Sequence, residues 1–157
     1  MKEKKSKDPF CDPKSMASES YYETKYTYVV YNLYPVVKGH TLIVPKRHVE
    51  NINELTDAEA VDLIKTIRYV IPKLLKTYKV YDSYNLIAQI GDSSGRTIKH
   101  LHIHIIPRKG SDVYINNDDK LYKDLRKFEL ENIASHVIQP EIEKLRRVFK
   151  YTPKTPK

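Results

Sequence analysis

The sequence predicts an α+β domain: an antiparallel β-sheet of about five strands, with one long helix and one C-terminal helix. Three observations predict it. Short segments rich in β-branched and aromatic residues are stopped by glycine or proline. One long stretch carries an apolar stripe at helical spacing. The elements run strand–strand–helix–strand–strand–helix, an order that suits an antiparallel sheet with helices packed on it.

Taken in chain order, residues 1–20 are polar, lysine-rich and carry two prolines, so a flexible, loosely draped segment is expected. "TKYTYVVYNLYP" (Thr24 to Pro35) has strand composition, "VVKGH" turns at Gly39, and "HTLIVP" (His40 to Pro45) is a second strand stopped by Pro45. Strands this close form an antiparallel hairpin. "ELTDAEAVDLIKTIRYVIPKLLKTYKV" is a helix, with Thr56 as N-cap and Glu59 completing a capping box. Asp57 and Glu59 also suit the positive end of the helix dipole. Its apolar stripe is Val61, Ile64, Ile67, Ile71, Leu74, Leu75 and Tyr78, and Pro72 predicts a kink near Arg68. "SYNLIAQI" (Ser83 to Ile90) and "IKHLHIHIIP" (Ile98 to Pro107) are strands, joined by the glycine- and serine-rich loop "GDSSGRT". A short helix between Lys120 and Leu130 fits a weakly patterned stretch. "PEIEKLRRVFK" has proline at a helix start and Ile142, Leu145, Val148 and Phe149 on one face. The expected organisation is a segment 1–20, one domain over 21–150 and a basic tail 151–157.

At 157 residues the chain suits one domain with one core. Cys11 is the only cysteine, so an internal disulfide and a four-cysteine zinc site are both excluded. That fits a reducing compartment, and a cytoplasmic, possibly also nuclear, location is expected. No apolar run approaches the roughly 18 residues of a membrane span. The net charge is +8, and half of it lies in residues 138–157, with six basic and two acidic groups. This is a solvated tail rather than a nucleic-acid patch, since aromatics stacked among basic residues are not evident. No specific nucleic acid is expected as a partner.

The chemistry concentrates in "KHLHIHIIPRKG". Along a strand, side chains alternate faces, so His100, His102 and His104 line one face while Leu101, Ile103 and Ile105 face the core. In a helix His102 would point away from the other two, and the alternation with branched residues favours the strand. Two readings compete for the imidazole row. Alternating histidines can chelate a metal, with a further histidine or carboxylate completing a zinc site. Alternatively one histidine attacks an electrophile, with its other nitrogen held protonated against a carbonyl and its neighbours orienting it. The Gly91–Thr97 loop supplies backbone N–H groups and hydroxyls for a phosphate.

"HLHIHII" resembles the histidine triad pattern, in which three histidines alternate with apolar residues. "YNLYPVVKGHTLIVPKRHV" resembles that superfamily's nucleotide-binding strand and hairpin, and "QIGDSSGRTIKHLHIHIIPRKGSD" resembles its fragile-histidine-triad (Fhit)-like branch. The likeness spans about residues 21–112 and implies a HIT-like fold. It implies a dinucleoside polyphosphate hydrolase, cutting a substrate such as diadenosine triphosphate at the α-phosphate through a nucleotidyl-histidine intermediate and releasing AMP. On that resemblance His102 is the nucleophile, His104 assists at the phosphate and leaving group, and His100 pairs with His40. Thr97 holds the α-phosphate, Asn32 the ribose, Leu33 and Leu42 touch the base, and Gln89 marks the Fhit-like branch. Arg96 stands where that branch usually has glutamine. It is either a grip on a distal phosphate or a solvated loop arginine. Magnesium or manganese would arrive on the polyphosphate, no residue is assigned to a metal, and a homodimer with the long helix near its interface is implied. A nucleoside phosphoramidase (Hint-like) and a nucleotide-binding signalling module are the alternatives. Cys11 resembles a remnant of the Cys-x-x-Cys zinc pair near the start of some superfamily members; with its partner missing and Phe10 beside it, no zinc site is expected. His48 is expected on the surface, and His136 is given no role.

Overall fold

The structure, a computed structural model, describes residues 8–80, 83–109 and 135–156. Five strands form one antiparallel sheet in the order β1-β2-β3-β5-β4: β1 (Ser20–Glu23), β2 (Thr27–Tyr31), β3 (Thr41–Pro45), β5 (Ile103–Pro107) and β4 (Tyr84–Ala88). Among the described residues three α-helices accompany them: α1 (Pro13–Glu19), α2 (Asp57–Thr77) and α3 (Ser135–Phe149). The α+β class and the sheet are as the sequence predicts. The helix expected between Lys120 and Leu130 lies outside the described residues.

Register divides the sheet into two faces. Val29 pairs with Ile43, and Ile43 with Ile103, so these side chains share a face. That face meets Leu63, Ile67, Val70 and Leu74 of α2 and Ile142, Leu145 and Phe149 of α3 in the main core. On the opposite face Val30 pairs with Leu42, and Leu42 with His104. There a second cluster forms from Phe10, Met16, Val30, Leu42 and Val44.

The second cluster corrects the reading of residues 1–20 as flexible over its described part. Asp12 caps α1 by accepting the Ser15 N–H, Pro13 opens the helix, and Ser20 begins β1. Arg146 of α3 donates to the carbonyls of Ala17, Ser18 and Ser20, which satisfies the acceptors left at the end of α1. The Arg146 contacts and the packing of Phe10 and Met16 against the sheet come from far along the chain, which is why composition alone gives a solvated segment. The strand expected over Thr24 to Pro35 is shorter, because the chain turns between Thr24 and Thr27 to join β1.

In α2 the buried arc is centred on Leu63, Ile67, Val70 and Leu74, whereas Val61 and Ile64 are half exposed (51% and 52%). The sequence stripe merged two apolar arcs. Helix α2 runs unbroken through Pro72, where Arg68 and Pro72 both face solvent and water can serve the carbonyl that loses its donor. Pro140 lies within α3 rather than at its start. The Thr56–Glu59 capping box is present, and Glu59 also accepts from Arg47 Nε at 2.8 Å and Nη2 at 2.7 Å. Those hydrogen bonds hold the Glu59 carboxyl at about 2. Glu59→Ala removes the carboxylate half of the capping box and leaves Arg47 with only the Glu54 carbonyl, so a stability loss of about 2 kcal/mol is expected in urea unfolding. A loss no greater than that of Arg47→Ala would show the bond from the Thr56 N–H to the Glu59 carboxylate to be dispensable.

Candidate active site

Strand β5 begins at Ile103, so only His104 of the three histidines lies within a regular strand. His100 and His102 precede it on an extended lead-in. The ring order is nevertheless preserved: His102 and His104 stand 5.1 Å apart between centroids, and Phe10 packs at 5.7 Å from His100 and 5.4 Å from His102. Leu101, Ile103 and Ile105 are buried as expected. The imidazoles are buried too, with His102 at 6% exposure and His104 at 4%.

Hydrogen bonds fix the tautomers. The backbone N–H of Val36 donates to His40 Nδ1 at 3.1 Å. The His40 proton therefore sits on Nε2, which lies 2.9 Å from His104 Nδ1 and donates to it. His104 must then carry its own proton on Nε2, a buried atom with no hydrogen-bond partner. At His102, Nδ1 lies 2.7 Å from the His100 carbonyl and can only donate to it. This leaves the Nε2 lone pair of His102 free, beside a buried N–H donor on His104. A nucleophile and a donor side by side are what an attack on a phosphoryl group requires.

Burial, and then the charge of His104, Arg108 and His102, hold His40 well below the ordinary histidine value. His104 is depressed to about 3 by burial, then by His102. Burial also lowers His102, against the raising effect of its bond to the His100 carbonyl. The three rings are therefore neutral at neutral pH. As pH falls below about 6.5 the unfolded chain takes up protons that native His40 and His104 refuse, so stability falls. Glu19 acts in the opposite sense: burial and then Asp12 raise it to about 7, so the native state binds its proton first. Two histidines outweigh one glutamate, and the urea midpoint is expected to drop between pH 7 and pH 5. A midpoint flat or rising over that range would contradict buried neutral rings.

The expected pairing of His100 with His40 is corrected. His40 meets His104, because register sets Leu42 opposite His104 and carries His40 toward the same end of the sheet. His100 turns the other way: its Nε2 donates to the Pro45 carbonyl at 2.8 Å, and its Nδ1 lies 2.8 Å from Asp8 Oδ2. Asn32 lies across His40, with its amide nitrogen 3.1 Å and 3.4 Å from the ring nitrogens, and accepts the Tyr34 N–H. Leu33 is exposed beside it. Leu42 is on the histidine face but is covered by the cluster of Phe10 and Met16. Gln89 donates to the Ser94 carbonyl at 3.0 Å and shapes the 91–97 loop, in which Thr97 is exposed. Gly91 and Gly95 adopt positive φ there.

Arg96 is held in place by the protein's own groups. It donates to Glu50, Asp92 and the Lys99 and Glu50 carbonyls, which ties the loop to the segment after β3. A distal phosphate would have to displace these contacts, and a solvated arginine does not fit either. Phe10 and Asp8 are the site residues that the sequence reading missed. An aromatic and a carboxylate just before Cys11 are ordinary in a polar segment, and only the fold brings them to the triad. His48 is on the surface as expected, but its ring packs 4.9 Å from that of His100.

The wider comparisons agree with this geometry. The HIT domain family profile matches residues 14–111, more than half of the chain. A Schizosaccharomyces pombe protein named bis(5'-nucleosyl)-tetraphosphatase (asymmetrical) is 37% identical over 76% of this chain and 64% of its own length. The Dictyostelium discoideum bis(5'-adenosyl)-triphosphatase is 34% identical over 84% of this chain and 86% of its own. The crystal structure of the Caenorhabditis elegans NitFhit protein superposes with a TM-score of 0.68 at 30% identity, covering 83% of this chain and 27% of that one. The chain thus spans less than two thirds of the fission-yeast relative and about a quarter of the NitFhit protein. With three alternating histidines running along the lead-in and first residues of β5 in a five-stranded sheet, this chain belongs to the HIT domain, or histidine triad, family.

Proposed function

We propose that the chain hydrolyses dinucleoside polyphosphates, such as diadenosine triphosphate, at an α-phosphate through a covalent intermediate on His102. The observation that carries this reading is the tautomer of His102. Its Nδ1–H is fixed on the His100 carbonyl, so Nε2 presents a lone pair. That nitrogen attacks the α-phosphorus, and the bond from phosphorus to the bridging oxygen breaks. The bond's electron pair leaves on the departing nucleotide. The Nε2–H of His104 donates to phosphoryl and leaving oxygens, where a donor in a dry site is worth about 3 kcal/mol. Water then cleaves the phosphorus–nitrogen bond, releasing AMP and restoring the imidazole. Splitting one displacement into two is the gain from the covalent route.

The 91–97 loop and Thr97 hold the phosphate, and Leu33 lies open to the nucleoside. Magnesium or manganese enters on the polyphosphate, since Mg²⁺ keeps its waters and favours phosphate oxygens. The names of the Schizosaccharomyces and Dictyostelium relatives support this substrate class. Homodimer formation is part of the proposal. Among the described residues strand β4 is an edge of the sheet with Tyr84 and Leu86 exposed, a surface that monomers rarely leave uncovered.

The test is side-by-side turnover of diadenosine triphosphate and an adenosine phosphoramidate by the whole chain. Preference for the dinucleotide, with AMP among the products, supports the reading. Preference for the phosphoramidate overturns it in favour of a Hint-like activity.

A further inference from the structure

The loop between β4 and the lead-in of β5 has two halves that are held in different ways. Residues 91–95 fold on themselves: Ser94 donates its N–H and its hydroxyl to the Gly91 carbonyl, and Gln89 donates to the Ser94 carbonyl. Residues 96–99 belong to no helix or strand. Arg96 supplies this half with four hydrogen bonds. Its Nη1 donates to the Lys99 carbonyl at 3.0 Å and to the Glu50 carbonyl at 3.3 Å. Its Nη2 donates to Glu50 Oε2 and to Asp92 Oδ1, both at 3.1 Å. One planar group thus joins the start of the loop, its end just before His100, and the segment after β3. That segment is a firm footing, because its buried residue Val49 accepts the Leu101 N–H at 2.7 Å.

The Arg96 side chain is 7% exposed. Of the five N–H groups of a guanidinium, four are committed to these bonds. The fifth, on Nε, is buried and has no acceptor among the described residues. No donor is therefore left open for a substrate. A buried donor without an acceptor also costs the fold stability, so stability alone does not account for an arginine here.

We propose that Arg96 is a positioning residue for the phosphate. Anchored by Glu50, it sets the backbone of residues 95–98 and Thr97 against the α-phosphate attacked by His102, and it touches no substrate atom itself. A lysine cannot replace it, since one ammonium does not span three anchors in a plane. This role presupposes the proposed holding of the phosphate by the 91–97 loop.

The experiment compares the full chain with Arg96→Ala, Arg96→Lys, Glu50→Ala and Glu50→Gln, using AMP and adenosine as binding probes. In Arg96→Ala, AMP binding should weaken roughly tenfold or more, the equivalent of one lost charge-assisted contact. Adenosine has no phosphate and should bind as it does to the parent. Arg96→Lys should behave like Arg96→Ala. Glu50→Ala gives a test of sign: with the anchor gone AMP binding should weaken, and Glu50→Gln, which keeps an acceptor for Nη2, should restore most of it. Hydrogen exchange over residues 91–99 should quicken in Arg96→Ala while the rest of the chain is unchanged. Turnover of diadenosine triphosphate, read as kcat/KM, should fall about 100-fold, the cost of a misplacement of about 1 Å. Tighter AMP binding in Glu50→Ala overturns the proposal, because a freed arginine then grips the phosphate itself. Unchanged AMP binding in Arg96→Ala, or equal losses of AMP and adenosine, also overturns it. A parent chain that binds AMP without hydrolysing diadenosine triphosphate contradicts the proposed activity and leaves these binding contrasts to decide the role of Arg96. A parent chain that binds no AMP contradicts both.

Discussion

His102→Asn is expected to lower turnover of diadenosine triphosphate by a factor on the order of 10⁴ or more, while nucleotide binding persists. The asparagine keeps a donor for the His100 carbonyl but has no lone pair to attack phosphorus. The surroundings need little rearrangement, because His102 is packed by Phe10 and by the His104 ring rather than bonded through Nε2. On the proposed reading, binding rests instead on the 91–97 loop and the surface around Leu33. A change confined to KM, with kcat retained, would remove His102 from the chemistry and leave a binding module.

Gly39→Ala carries the largest expected cost in stability, about 3 kcal/mol. Gly39 sits at φ +90, a region that L residues rarely adopt, and a Cβ there would meet the Tyr78 ring at 2.6 Å. Tyr78 cannot simply step aside, since its hydroxyl donates to Glu141 of α3 at 2.7 Å. Gly39 also donates its N–H to Tyr31 Oη, and its carbonyl accepts from Thr41. The strain falls on the residue before His40, so the His40–His104 bond should loosen together with the fold. Urea unfolding with an unchanged slope and a lowered midpoint is the expected result. A loss below about 1 kcal/mol would mean that the hairpin can rearrange at this point.

Legibility followed sequence distance. The capping box at Thr56 and Glu59 and the hairpin around Gly39 are set within a few residues, and the sequence shows them directly. The triad was legible as alternation, although the regular strand starts only at Ile103. Strand β1 was not legible, because "SYYE" adjoins a polar start and gains its partner only through a turn at Thr24 to Thr27. The same holds for Asp8 and Phe10, whose partners lie about ninety residues away at His100 and His102. Arg96 was ambiguous for a related reason: Glu50, which engages it, lies on a segment that only the fold brings near. The pairing of His40 with His104 rather than His100 depends on sheet register, which alternation alone leaves undetermined.

Rapid mixing with diadenosine triphosphate, acid-free quenching and intact-mass spectrometry test the central claim most directly. A transient gain of one AMP, mapped to His102 and absent in His102→Ala, is the predicted result. Turnover with no adduct at any mixing time, or an adduct that persists in His102→Ala, would contradict it.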